Sequence, residues 1–203
     1  MFLSNKRTLL RAALAVGALV LAACARQDAP RFHGVDVTGA EYAQDIALRD
    51  ADGQPRSLRD FAGKVIVVFF GYVQCPDFCP LTLQEMVEVK HLLGADGERL
   101  QVVFVTVDPA RDTPEIVKAY VSAFDASFVG LHGSAEEIAA VAKDFKVYYN
   151  KVPGKTEGSY TVDHSAGSYM YDPAGRLRLY QRYGTPAQAL AEDVRALLRG
   201  CLS

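Results

Sequence analysis

The sequence predicts an α/β fold: a mostly parallel sheet with helices on both faces. Three observations carry this expectation. The runs "KVIVVFFGY" (64–72) and "RLQVVFVTVDP" (99–109) are almost wholly apolar and rich in β-branched and aromatic residues, as strands buried on both faces are. Amphipathic stretches of helical period alternate with them. Helix-start signals, Thr113 before Pro114 and Ser134 three residues ahead of Glu137, fall in the gaps between strands.

The elements follow in order. Residues 1–23 read as a secretory leader: Lys6, Arg7 and Arg11 with no acid, then the apolar run "AALAVGALVLAA". The leader stops at Leu-Ala-Ala-Cys, which resembles a bacterial lipoprotein box and implies a lipid on Cys24. Residues 24–44 are polar, with Pro30, Gly34 and Gly39, and predict a flexible tether. The domain is expected over 45–203. It opens with a β-hairpin around "DADGQP" (50–55), followed by the first buried strand.

The spacing of Leu83, Met86, Val87 and Leu93 predicts a helix beginning at Pro80 and stopping at Gly94. The second buried strand follows, then a helix capped by Thr113, a short strand in "SFVGLHG", and a helix opened by a Ser134/Glu137 capping box. "GSYMYDPAGRLRLYQRYG" (167–184) predicts two strands around an Asp-Pro-Ala-Gly turn. The last helix is expected from a Thr185/Gln188 capping box to Gly200.

Composition excludes some functions. Loss of the leader's three cations takes the formal net charge from −2 to −5, so no nucleic acid partner is expected. With half its residues hydrophobic and 23% charged, the chain can bury an ordinary core.

The chemistry concentrates in "GYVQCPDFCPLTLQEM" (71–86). Cys75 and Cys79 are separated by three residues, at the end of a buried strand and the start of a helix. Outside the cytoplasm a close pair defaults to a disulfide, but so small a loop gives little entropic stabilisation. The helix N-terminus favours thiolate, which serves redox chemistry and soft metals alike. A redox pair has two residues between its sulfurs more often than three, and a metal site needs a third ligand. His33 in the tether and His91 near a helix end offer no role, and His132 is a lesser candidate. His164, in "YTVDHSAGSYMYD", is open between ligand and hydrogen-bonded loop residue. Met170 reads as core; Tyr148, Tyr149 and Tyr169 read as sheet packing or as flanks of a site. Cys201 has no assigned role.

"GYVQCPDFCPLTLQEM", "VTVDPARDTPE" and "VDHSAGSYMYDPAGRL" together resemble the signatures of the Sco/SenC family, copper-binding assembly factors of cytochrome c oxidase, from about Ile46 to Leu198. The resemblance implies a thioredoxin-like fold with an inserted hairpin. It implies copper ligands at Cys75, Cys79 and His164, with Asp77 and Asp163 as acidic neighbours. Thioredoxin-like reductases carry a cis-proline before the strand that here is "GSYMY"; this chain has His164-Ser165-Ala166 there.

Two thiolates and an imidazole suit Cu(I). Zinc ranks below it, since a structural zinc takes four ligands. Cu(II) would add an oxygen, from Asp77 or water, and Asp163 is expected to orient His164 or a partner. The function implied is a metal carrier delivering copper to the dinuclear centre of oxidase subunit II. The alternative is a thiol–disulfide reductase acting on that centre's cysteines, and Cys75 and Cys79 could themselves form a redox disulfide. Copper donors and thiol reductants are further expected partners. The expected place is the bacterial cell envelope, lipid-anchored, facing the periplasm or the extracytoplasmic side.

Overall fold

Among the described residues, eight strands form one sheet whose three central strands are parallel and whose flanks are antiparallel. The computed structural model describes residues 31–200. Their order is β1 (Val35–Asp36), β2 (Leu48–Asp50), β3 (Pro55–Arg56), β4 (Val65–Gly71), α1 (Phe78–Leu93), β5 (Leu100–Thr106), α2 (Pro114–Ser122), β6 (Val129–His132), α3 (Ala135–Asp144), β7 (Tyr149–Pro153), β8 (Tyr160–His164), β9 (Ser168–Tyr171), β10 (Leu177–Gln181) and α4 (Ala187–Gly200). The sheet runs β1-β10-β9-β4-β5-β6-β2-β3, and β7 pairs with β8 apart from it.

All seven residues of β4 and of β5 are buried, so both sheet faces must be covered. On one face Val67 lies with Met86 of α1, Met170 of β9 and Leu190 of α4. Phe104 of β5 meets Tyr120 of α2 on its edge, at 5.8 Å between centroids. On the other face Phe70 and Tyr169 pack against Phe145 at the end of α3. Helices on both faces are as expected, and so is the β2–β3 hairpin, which pairs through β2 with β6 at the sheet edge.

The parallel part is narrower than expected. Crossover helices make β4, β5 and β6 parallel, whereas β9 lies antiparallel against β4 and β10 beyond it. The Asp172–Gly175 turn joins β9 to β10, with Gly175 at φ 76° and its N–H donating to the Asp172 carbonyl at 2.8 Å.

Other local expectations divide. Thr113 accepts from the Ile116 amide, and the Ser134/Glu137 box closes in both directions. Gly94 ends α1 at φ 61°. Helix α1 starts at Phe78 rather than Pro80: a first-turn proline lacks only an N–H the helix would leave unpaired. Val87 is half-buried, and Val89 and Thr82 join the buried face in its place. The Thr185/Gln188 box does not form. Thr185 donates back to the Arg182 carbonyl at 2.8 Å, and Gln188 donates to Glu192. The β7–β8 hairpin has no counterpart in the expected order.

The expected tether over 24–44 is not free in its described part. Val35–Asp36 pairs with Leu179–Tyr180. The amides of His33 and Gly34 donate to the Asp193 carboxylate at 2.8 and 2.9 Å, and Tyr171 donates its hydroxyl to the Ala43 carbonyl. Leader residues 1–23, Cys24 and Cys201 lie outside the described residues.

Asp193 is buried in α4 and also accepts from Gln181. Its removal would strand these donors, each at about 1–3 kcal/mol when buried. Asp193→Ala is therefore expected to lower unfolding free energy by about 2–3 kcal/mol in urea titration. Amide exchange should accelerate first at residues 33–37.

Candidate metal centre

The carboxyl edge of parallel strands is where open α/β sheets place ligand sites, and the cysteine loop leaves β4 there. Beyond Gly71 the chain turns, with the Cys75 amide donating to the Tyr72 carbonyl at 3.1 Å. Asp77 precedes α1 in an irregular conformation and its side chain makes no capping bond. Cys79 is thus the second residue of the helix while Cys75 stays in the loop. Both are free thiols and buried. Gly71 has no alternative residue: a Cβ there would overlap the Cys79 sulfur and the Phe104 ring.

His164 ends β8, opposite Tyr149 in the hairpin register. Its Nε2 lies 3.7 Å from the Cys79 sulfur and 4.0 Å from that of Cys75. The three candidate ligand atoms all fall within 4.8 Å of one another, and among the described residues no other His, Cys, Asp and Glu side chains form such a cluster. The ring's Nδ1–H donates to the Ser165 carbonyl at 3.0 Å. A carbonyl can only accept, so this bond fixes the tautomer that turns a lone pair on Nε2 to the sulfurs. Tyr72 meets the imidazole edge-on, 5.9 Å between centroids.

The two thiols are pushed in opposite directions. The hydrogen bond from Cys79 holds the Cys75 thiol far below its ordinary value. Burial opposes the shift; His164 and the backbone amides of Cys79 and Asp77 assist it. Cys79 is pushed up by the same bond, by burial and by the Cys75 charge. Burial works against a charged His164, yet the Cys75 thiolate, the Ser165 carbonyl and the Asp163 charge hold its pKa above the usual value. The site therefore presents a thiolate, a neighbouring thiol and an oriented imidazole, a soft donor set.

The acidic neighbours differ in how they reach the site. Asp163 is exposed and acts on His164 through charge, because the ring N–H is already taken by Ser165. The Asp77 side chain is exposed and outside the cluster; its backbone amide is what faces Cys75. His132 donates its Nε2–H to the Asp50 carbonyl, 2.9 Å away, and fastens β6 to the edge hairpin. His33 meets Glu192 at 2.8 Å, and His91 is exposed. Met170 is fully buried core. Tyr169 donates to the Phe145 carbonyl within the core, whereas Tyr148 is exposed.

Several supporting residues have no role in the sequence reading. Asp112 is buried and accepts from the Val73 amide at 3.0 Å and the Thr106 hydroxyl at 2.6 Å, bracing the start of the cysteine loop. Asp108 is fully buried, pairs with Arg111, and accepts from the Tyr160 hydroxyl at 2.8 Å. "VTVDPARDTPE" contains both aspartates and the arginine. The available signal was a run of charge directly after a buried strand.

Comparison with known proteins gives the family and the fold. The family model described as SCO1/SenC matches residues 36–199. "Protein SCO2 homolog, mitochondrial" of Mus musculus is 37% identical over 153 residues, 74% of this chain, and the aligned region spans 60% of that relative's length. The copper-bound structure of Bradyrhizobium japonicum ScoI is 38% identical with a TM-score of 0.67, covering 74% of this chain and 96% of that one. The solution structures of apo Sco1 from Thermus thermophilus are 36% identical with a TM-score of 0.71, covering 82% and 97%. The match extends the shared thioredoxin-like fold to this chain.

Two measurements test the supports. Gly71→Ala overpacks the Cys79 sulfur and should cost about 1–3 kcal/mol; an unchanged urea midpoint would show that the sulfur moves aside freely. Burial raises the Asp112 pKa, against the Thr106 and Val73 bonds. Its protonated form is thus favoured by folding. That contribution is present below the unfolded value near 3.8 and is lost as pH rises through the folded one. Asp112→Asn keeps the acceptor and removes the charge. Its stability relative to the parent is expected to rise as pH climbs from about 4 through the folded pKa of Asp112 and then to level off, and a pH-independent difference would contradict the assignment.

Proposed function

The chain belongs to the SCO1/SenC family, and from that premise we propose that it is a copper carrier of cytochrome c oxidase assembly. Cu(I) is its cargo, and Cys75, Cys79 and His164 hold it. The single observation that carries this reading is the convergence of two sulfurs and an oriented imidazole within 4.8 Å. The same chemistry in relatives supports it: the Bradyrhizobium japonicum structure is described as ScoI with copper bound.

The residues divide the work. Cys75, already a thiolate, is the first point of attachment for a soft cation. Cys79 gives up its proton on binding. His164 completes a three-coordinate site, which is soft enough for Cu(I) and open enough for ligand exchange. An incoming thiolate of an acceptor can displace the neutral imidazole without first breaking a sulfur bond. We assign the acceptor to the dinuclear copper centre of oxidase subunit II. Copper donors and thiol reductants would charge and reset the pair.

The leader read over 1–23 and the lipid on Cys24 would place the domain at the envelope membrane, on the extracytoplasmic side. No helix among the described residues is long and apolar enough to cross a membrane. Residues 32–44 then act as a docked arm.

The thiolate–thiol pair also supports a second reading, a thiol–disulfide reductase for the acceptor's cysteines. The two separate in one experiment. Anaerobic titration of the reduced protein with Cu(I) is expected to give one ion per chain, and His164→Ala should weaken it about tenfold or more while sparing disulfide exchange. A stoichiometry well below one, or unchanged affinity in His164→Ala, would remove the carrier reading and leave the reductase.

A further inference from the structure

The hairpin that delivers His164 brings little apolar surface to the domain. Of the residues in β7 and β8, only Val162 is buried. Beside the partly buried Tyr149 and Tyr160, which pack against the core, its polar attachment converges on one guanidinium. Arg111 lies over the Tyr160 ring, 3.7 Å from the centroid, and donates through Nη1 to the Tyr160 carbonyl at 2.9 Å. The same Nη1 donates to Gln74 Oε1 at 3.1 Å, next to Cys75. Its Nε pairs with the buried Asp108, which also takes the Tyr160 hydroxyl and lies 3.5 Å from Lys151. Arg111 stands 5.6 Å from the Tyr72 ring, whose edge meets His164.

The arrangement has a cost. Arg111 Nη2 is buried without a partner, and a stranded donor is unfavourable. A planar fork that stacks and donates to several acceptors at once cannot be replaced by an ammonium. We infer that Arg111 is a positioning residue, a strap from the cysteine loop to the β7–β8 hairpin that sets how firmly His164 is presented to the two sulfurs. Its release leaves a dithiolate with a loosely held third ligand.

This rests on the copper reading, and the consequence differs between oxidation states. Cu(I) is soft and keeps the two thiolates as its main donors when the imidazole is only loosened, whereas Cu(II) depends more heavily on harder nitrogen and oxygen donors. Loss of a residue that orients a ligand typically costs about 10–100-fold in metal affinity.

The test uses the full chain with Arg111→Lys, with Gln74→Leu cutting only the exposed arm of the strap should the first variant fail to fold. His164→Ala is the reference. In metal-free protein, Arg111→Lys is expected to speed amide exchange across 149–164 by about tenfold or more, with 65–71 and 100–106 unchanged. Cu(II) affinity should fall about 10–100-fold, with altered sulfur-to-copper charge-transfer absorption. Cu(I) should still bind one per chain and weaken less than tenfold. Gln74→Leu should follow the same pattern to a smaller degree. Equal losses for both oxidation states, unchanged hairpin exchange, or parental behaviour in both variants would overturn the strap. Failure of the parent protein to bind copper would overturn the carrier reading instead, and hairpin exchange in the metal-free variants would still decide the strap.

Discussion

The structure turns on the antiparallel pairing of β9 with β4. Ser168 lies opposite Phe69, close to the carboxyl end of β4. Residues 164–167 therefore enter the sheet beside the loop through which the chain leaves β4 for α1. An imidazole and two sulfurs that are far apart in sequence meet because one strand enters where another exits. Parallel β5 contributes the third wall: the Val107 amide donates to the Gly71 carbonyl at 2.8 Å and carries the Asp108–Asp112 loop to the same edge.

Around that junction the protein buries charge, an expensive choice unless every group is paired. Asp108 and Asp112 are both almost wholly inaccessible. One braces the cysteine loop through Val73, the other the hairpin through Tyr160 and Arg111. The site thus stands on two buried carboxylates from one short segment. The sulfurs are divided in a comparable way. Cys79 sits in the first turn of α1 against Gly71, and Cys75 sits in the loop under backbone amides. Three intervening residues let one sulfur belong to the helix and the other to the loop, with both facing His164.

Much of this was legible. The β4 and β5 runs, the Thr113 and Ser134 caps and the Gly94 stop are local signals, and the structure honours them. The β7–β8 hairpin was not legible, because "YNKVP" and "YTVDH" carry no continuous apolar face and are separated by glycine and charge. The arm over 32–44 read as a tether because its attachments are backbone amides and carbonyls, which composition does not display. Thr185 was available as a cap but turned back to Arg182, a choice between two nearby acceptors that propensity does not rank.

By itself the sequence determined the cysteine pair, its placement between a buried strand and a helix, and the local pattern that resembles one family. It determined a chain in which strands and helices alternate, since apolar period and capping chemistry are properties of neighbours along the chain. Only the tertiary structure decided that β9 lies against β4, that the ring N–H of His164 goes to Ser165 rather than Asp163, and that Arg111 joins the two halves of the site. Periodicity encodes which face of a strand is buried but not which strand lies beside it, and the direction of a hydrogen bond depends on atoms that the fold alone brings within reach.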